Sequence, residues 1–288
     1  MSNKGLLIVI DGLDGSGKNT QTNILYNFFR KNGVNKIIKL SFPDYDSYTG
    51  KIIREMLTGK IELDSGLNNY NTQILKALLF SYDRMIIMNR KIPEYDNKTI
   101  KELYDDGYII LCDRYTTSNF FHMTTDLSES ETISFINEIE EIEYNKMNII
   151  KPDIVIALIL DPEISMKLIN KRGNEKDDNE NLDHLKKAYD KLQFVLDMKP
   201  EWKMINCNND EKDYIKGESF IQDDIKSVLR DCVAKEFIDE IINKIDKLDM
   251  TKDEDINFCL KCNHKLIQLI FEPEKYYCPN CESIWITK

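Results

Sequence analysis

Lys18 closes a glycine-rich turn, Gly12-Leu13-Asp14-Gly15-Ser16-Gly17-Lys18-Asn19-Thr20, in which Gly12, Gly15 and Gly17 leave the backbone almost bare of side chains. Successive backbone N–H groups in such a turn can converge on phosphate oxygens, with the N-terminus of the next helix behind them. The spacing Gly12-x-x-x-x-Gly17-Lys18 is that of a triphosphate-binding loop, in which Lys18 bridges the β- and γ-phosphates while Gly12, Gly15, Ser16, Gly17, Asn19 and Thr20 line the phosphates. The pattern expects Ser or Thr directly after the lysine as a Mg²⁺ contact, and Asn19 stands there instead. Its amide oxygen can still ligate Mg²⁺ or a water of its shell, so the metal contact is read as altered and not lost. A second chemical cluster, Asp113-Arg114-Tyr115, ends an apolar run from Tyr108 to Cys112. There Arg114 suits a phosphate and Asp113 suits Mg²⁺ or its waters.

Elements that alternate along the chain must carry these residues. Leu6–Ile10 reads as a buried strand before the loop, and 19–30 as an amphipathic helix after it. Further strands are expected over 36–42, 108–112, 154–160 and 204–207, with helices over 49–58, 72–90, 98–105, 129–145, 163–171 and 185–197. Alternating β and α with continuously apolar strands implies a three-layer α/β/α domain around a mainly parallel sheet of the P-loop NTPase type. Its ligands bind at the carboxyl ends of the strands, so the phosphate loop, Phe42-Pro43-Asp44, Asp113-Arg114 and Asp161 are expected on one rim. Residues 173–183 have no apolar face and read as a mobile polar loop.

The chain has 288 residues and a formal net charge of −11, which argues against a protein built mainly to grip nucleic acid through phosphates. It shows no leader-like start and no apolar run long enough to span a bilayer, so a cytoplasmic protein without membrane contact is expected. Of seven cysteines, Cys112, Cys207 and Cys232 are scattered and read as reduced. The other four, Cys259-x-x-Cys262 and Cys278-x-x-Cys281 separated by fifteen residues, have zinc-ribbon spacing. Four thiolates would close a tetrahedral structural Zn²⁺ site and supply the folding energy that so short a segment lacks. Lys261, Lys265, Lys275, Trp285 and Lys288 leave nucleic-acid contact through this ribbon open. The expected organisation is a phosphate-loop domain over 1–208, a helical extension and linker over 209–256, and a zinc ribbon over 257–288.

Taken together, the phosphate loop, Phe42-Pro43-Asp44-Tyr45, Leu79-Phe80-Ser81-Tyr82-Asp83-Arg84, Asp113-Arg114-Tyr115-Thr116-Thr117-Ser118-Asn119 and Lys171-Arg172-Gly173 resemble thymidylate kinase in order and spacing. The resemblance covers about residues 4–208 and implies transfer of the ATP γ-phosphoryl to a deoxynucleoside monophosphate, dTMP first, with Mg²⁺ as the partner of ATP. It implies catalytic roles for Lys18, Arg114, Arg172 and Asp14, the last approaching the acceptor sugar or phosphate. Phe80 would stack on the base, Arg84 would read a base carbonyl, and Asn119 would bond the base. Phe42, Pro43 and Tyr45 would close over the acceptor. Because Gly15 occupies the loop position that carries an arginine in some relatives, the assisting charge is assigned to Arg172 at the lid, with Lys171 or Lys176 as helpers. His122 stands where relatives often carry Tyr near the sugar, which leaves other or modified nucleotides open as acceptors. A homodimer through core helices is what the resemblance suggests. A nucleotide-switched protein that reads nucleic acid through the ribbon is the alternative from another class.

Overall fold

The computed structural model describes residues 4–61, 66–172, 181–209 and 214–233, together with three short strands near the C-terminus. The chain divides into two compact units, Met1–Gln222 and Asp223–Lys288.

At the centre of the first unit lies β1 (Leu6–Gly12), in which Leu7, Ile8, Val9 and Ile10 are fully buried. Such a strand is apolar on both faces because helices cover both. The remaining strands are β2 (Ile37–Ser41), β3 (Ile109–Asp113), β4 (Ile154–Ile159) and β5 (Lys203–Asn206). They form one sheet in the order β2-β3-β1-β4-β5, every neighbouring pair parallel. The chain leaves β1, passes over β3 to β2, and later crosses back to β4 on the other side. The order therefore reverses beside β1, which places the ligand crevice at its carboxyl end. The register fixes what shares that end: Ile10 pairs with Asp113, Ser41 with Asp113, and Gly12 with Leu158.

The helices are α1 (Lys18–Lys31), α2 (Tyr48–Leu57), α3 (Asn69–Asn89), α4 (Ile100–Asp105), α5 (Thr117–His122), α6 (Glu129–Glu140), α7 (Pro162–Arg172), α8 (Leu182–Met198) and α9 (Glu218–Val233). Their starts follow from local chemistry. Thr99 with Glu102 and Ser128 with Glu131 each form a reciprocal capping box, and Ser47, Asn68 and Asn181 each accept a backbone N–H at a helix start. α1 is different: Gly17 caps it in the left-handed conformation with no side-chain bond, so the first N–H groups of the helix are not claimed by a side-chain cap.

Two elements depart from the sequence reading. The short helix α5 follows Asp113-Arg114-Tyr115, where the sequence pattern gives only a strand end. The helix expected over 129–145 keeps α geometry only to Glu140, and Glu141–Lys146 winds as a π-helical turn. Such a turn adds a residue per loop of backbone and occurs often at functional sites. In the 210–255 region, the described helix is α9, while residues 214–217 run irregularly before it.

In the second unit, β6 (Ile267–Leu269), β7 (Glu272–Tyr277) and β8 (Ile284–Ile286) pair antiparallel in sequence order. Cys259, Cys262, Cys278 and Cys281 lie outside the described residues, as do 173–180. Among the described residues no group of His, Cys, Asp and Glu is arranged to hold a metal ion. Nor is any described helix long and apolar enough to cross a membrane.

Candidate active site

The phosphate loop is shaped by glycines that no other residue could replace without strain. Gly12 has φ 141°, and a Cβ there would lie 2.3 Å from the Leu158 carbonyl oxygen of the neighbouring strand. Gly15 has φ 87° and packs against Ser165, whose hydroxyl donates to the Asp14 carbonyl. The loop is thereby pinned between β4 and α7. On its inner side the buried Lys18 ammonium donates to the Gly12 and Leu13 carbonyls at 2.8 and 2.7 Å and meets Asp14 at 3.4 Å.

Asp14 is the hinge of the electrostatics. The same Oδ1 that faces Lys18 forms an ion pair with Arg114, so one carboxylate joins the cation of the phosphate loop to the cation at the end of β3. Arg114 is held there by its backbone, which adopts a left-handed conformation (φ 62°) and donates to the Ile10 carbonyl at 3.0 Å. A non-glycine residue in that region costs about 1 kcal/mol or more and is found disproportionately at functional sites. Asp11 is fully buried and accepts from Gly12 N, Thr117 Oγ1 and Ser118 Oγ, which fastens α5 to the phosphate loop.

Both ends of the Asn19 amide are engaged by neighbouring side chains. Its Nδ2 donates to Asp113 Oδ2 at 3.0 Å, while its Oδ1 accepts from Asn23 at 2.9 Å. The second oxygen of Asp113, Oδ1, is buried without a hydrogen-bond partner among the described residues. Burial raises the Asp113 pKa against the opposing pull of Lys18. A lone buried carboxylate oxygen beside a phosphate loop fits the oxygen-seeking chemistry of hydrated Mg²⁺.

Beyond Arg114 opens a cleft of about 470 Å³, its open mouth included. Phe42, Pro43, Tyr45, Phe80, Arg84, Arg114 and Asn119 all line it, together with Asp14. Phe42, joined to Pro43 by a cis peptide bond, packs edge-to-face on Tyr115 with ring centres 5.4 Å apart. Arg54 lies over the Tyr45 ring at 4.6 Å. Asn119 is buried, and its amide nitrogen has no hydrogen-bond partner among the described residues. Phe80 and Arg84 are one turn apart on α3 and so reach the cleft from the same helix face.

Several supporting residues escaped the sequence reading. Asp83 is buried and accepts from Asp44 N at 3.1 Å, Ser47 Oγ at 2.9 Å and Thr49 Oγ1, and so folds the loop that carries Tyr45. Glu143 is fully buried against Arg84. Each had a sequence signal: Asp83 lies on the apolar stripe of α3, and Glu143 continues the inward series Thr132, Phe135, Ile136, Ile139 of α6. A carboxylate at a core position is informative because it is stable only when paired. Arg172 ends α7, and its side chain lies outside what is described.

A family model described as thymidylate kinase matches residues 10–216. The chain belongs to the thymidylate kinase family. It is 32% identical over 208 residues to a Methanocaldococcus jannaschii protein named "Probable thymidylate kinase", a match covering 72% of this chain and 88% of that one. It is 28% identical over 243 residues to the thymidylate kinase of Caldicellulosiruptor saccharolyticus, covering 84% of this chain and 99% of that one. The solved thymidylate kinase of Candida albicans shares the fold, with a TM-score of 0.57 at 22% identity over 79% of this chain and 92% of that chain. Thymidylate kinases are ATP-dependent dTMP kinases, so the cleft beside Arg114 belongs to a family of nucleoside monophosphate kinases.

His122 is buried, its Nε2 is 3.5 Å from Arg114 Nη1, and its Nδ1 is 3.3 Å from His184 Nε2. Arginine can only donate, so His122 Nε2 must accept and its proton sits on Nδ1, directed at His184. Burial, then the Arg114 charge, His184 and Lys18, push the His122 pKa well below the usual imidazole value; burial likewise lowers His184. The unfolded chain takes up these protons near pH 6.5 while the folded protein does not, so stability is full above that pH and falls below it. Each such histidine steepens the loss by about 1.4 kcal/mol per pH unit. Denaturant unfolding between pH 7.5 and 5.5 should therefore show a slope that His122→Gln reduces by about one proton; an unchanged slope would contradict a neutral buried His122.

Proposed function

We propose that this chain transfers the γ-phosphoryl group of ATP to dTMP, giving ADP and dTDP, within a catalytic region over 1–208. The observation that carries this reading is the joining of two phosphate-seeking centres by one carboxylate: Asp14 bonds both Lys18 of the loop and Arg114 of the cleft. A phosphate on each side of Asp14 would lie near the other, as an in-line transfer requires.

In this mechanism the loop N–H groups of Gly12–Thr20 and Lys18 hold the β- and γ-phosphates. An oxygen of the acceptor monophosphate forms the new bond to the γ-phosphorus as the bond to the β–γ bridging oxygen breaks, and ADP leaves. The acceptor oxygen is largely deprotonated at neutral pH, since the second phosphate pKa is about 6, so no general base is required. The protein instead positions the groups and neutralises charge on the transferring oxygens. Arg114 grips the acceptor phosphate and the travelling phosphoryl, and Asp14 aligns Arg114 with Lys18. Arg172 supplies the assisting charge that Gly15 cannot. Asp113 would hold Mg²⁺ or its waters through its unpartnered Oδ1, with Asn19 orienting that carboxylate, and the ion would offset charge on the β- and γ-phosphates. Phe80 stacks on the pyrimidine, Arg84 and Asn119 bond its polar edge, and Phe42, Pro43 and Tyr45 cover the acceptor.

Two finer readings accompany this one. Exposed Tyr82 and Ile86, one turn apart on α3, support pairing of two copies through core helices. The cysteine spacing supports a structural Zn²⁺ held by Cys259, Cys262, Cys278 and Cys281 over 257–288. Elemental analysis of purified protein should find about one zinc per chain, reduced to none in Cys278→Ser/Cys281→Ser; a metal-free native chain contradicts the zinc site.

A coupled ADP-release assay across the deoxynucleoside monophosphates tests the function. Turnover should be highest with dTMP. Arg172→Ala should lower kcat by about 10³-fold with the fold retained, as expected for loss of an assisting arginine. Absence of turnover with every monophosphate would defeat the kinase reading, and a near-normal kcat in Arg172→Ala would defeat the role of that arginine.

A further inference from the structure

We infer that Glu143 is a positioning residue that makes Arg84 selective for a carbonyl-edged pyrimidine over an amino-edged one. The inference rests on the proposed dTMP-binding role of the cleft and deepens it.

Glu143 lies in the π-helical turn Glu141–Lys146, fully buried beneath the cleft. All the groups that reach it are donors. Arg84 Nε donates to its Oε2 at 2.9 Å, Arg84 Nη2 bonds its Oε1, Ser81 Oγ donates to Oε1 at 2.7 Å and Thr116 Oγ1 donates to Oε2. A carboxylate, which only accepts, is the one side chain of this length that satisfies four donors at once. The helix α6 buries Thr132, Phe135, Ile136 and Ile139, and Glu143 continues that inward series where the backbone turns π-helical.

The arrangement acts on Arg84 in two ways. Engagement of Nε and Nη2 by two carboxylate oxygens locks the guanidinium plane, which leaves the hydrogens of Nη1 for the cleft that Arg84 lines. The Glu143 charge also cancels that of Arg84, so the pair offers the base an oriented, net-neutral donor. Burial would lower the Arg84 pKa, but the Glu143 charge and hydrogen bonds outweigh it and hold the pKa above the ordinary value. A base carbonyl accepts from such a donor. A base amino group opposite it leaves two donors facing each other inside a buried site, the mismatch that hydrogen-bonding pockets reject most strongly.

Glu143→Gln replaces one accepting oxygen with a donating amide and leaves Arg84 loosely held. Steady-state kinetics with dTMP and dCMP, on chains shown by thermal unfolding to be folded, test the inference. In Glu143→Gln the dTMP KM should rise about tenfold with kcat within about threefold of the unsubstituted chain, and the dTMP:dCMP ratio of kcat/KM should fall about tenfold, equivalent to about 1.4 kcal/mol. Because Glu143 acts through Arg84, the Arg84→Gln/Glu143→Gln double variant should have the same dTMP KM as Arg84→Gln alone. Should Glu143→Gln not fold, Thr116→Val, which removes one donor from the same carboxylate, should lower the ratio about threefold. An unchanged ratio in a folded Glu143→Gln chain, or in Thr116→Val where that is the chain tested, overturns the inference. So does a double variant whose KM loss is the sum of the two single losses. Failure of the unsubstituted chain to turn over dTMP is a different result: it removes the proposed function, and this inference with it.

Discussion

Everything at this site depends on the parallel pairing of β1 with β3. That register sets Ile10 opposite Asp113, so the phosphate loop leaving β1 and Arg114 leaving β3 emerge side by side at one edge of the sheet. Both strands are apolar throughout their length except at the ends that carry chemistry, so a slip of one residue would move Asp113 and Arg114 out of line with the loop that leaves β1. The carboxyl ends are also where backbone bonds run out. Arg114 N donating to Ile10 O and Phe42 N donating to Asp113 O close that edge and tie the Phe42-Pro43 segment to the same rim.

Once the strands fix the spacing, charge organises the rest. The site contains several buried carboxylates, and each is matched to donors: Asp11 to the loop and α5, Asp14 to Lys18 and Arg114, Asp83 to the 44–49 loop, Glu143 to Arg84. Removing one partner of such a pair leaves an uncompensated buried charge, which is why these residues constrain geometry even where their net contribution to stability is small. Asp113 is the exception, with one oxygen unpartnered, and it is the carboxylate to which the metal role is assigned.

The parallel sheet and its five strands were legible in the sequence, since continuously apolar runs between amphipathic segments admit few other arrangements, and the strands lie within a residue or two of expectation. Phe80, Arg84, Asn119 and the Phe42-Pro43 segment were assigned to one cleft by resemblance, and side chains from α3, α5 and the β2–α2 connection do line one cleft. Phe80 taken alone reads as core, because a helical Phe among leucines carries no signal of its own. Partners distant in sequence were not legible. Glu143 sits 59 residues beyond Arg84 and looked like one more charge on an acidic helix. The orientation of the Asn19 amide by Asp113 and Asn23 is likewise not legible, because no local pattern reveals those neighbours. α5 was missed because its six residues are too few for a periodic pattern to stand out.

The central claim is that the loop and the cleft act on two phosphates in one transfer, and the fate of the γ-phosphoryl tests it most directly. ATP labelled with ³²P at the γ-position, incubated with this chain, Mg²⁺ and dTMP, should yield label in dTDP, with little label in inorganic phosphate and none in dTDP when dTMP is omitted. Release of the label as inorganic phosphate at the same rate with and without dTMP would contradict the account, because it would mean that the loop hydrolyses ATP without reference to the cleft.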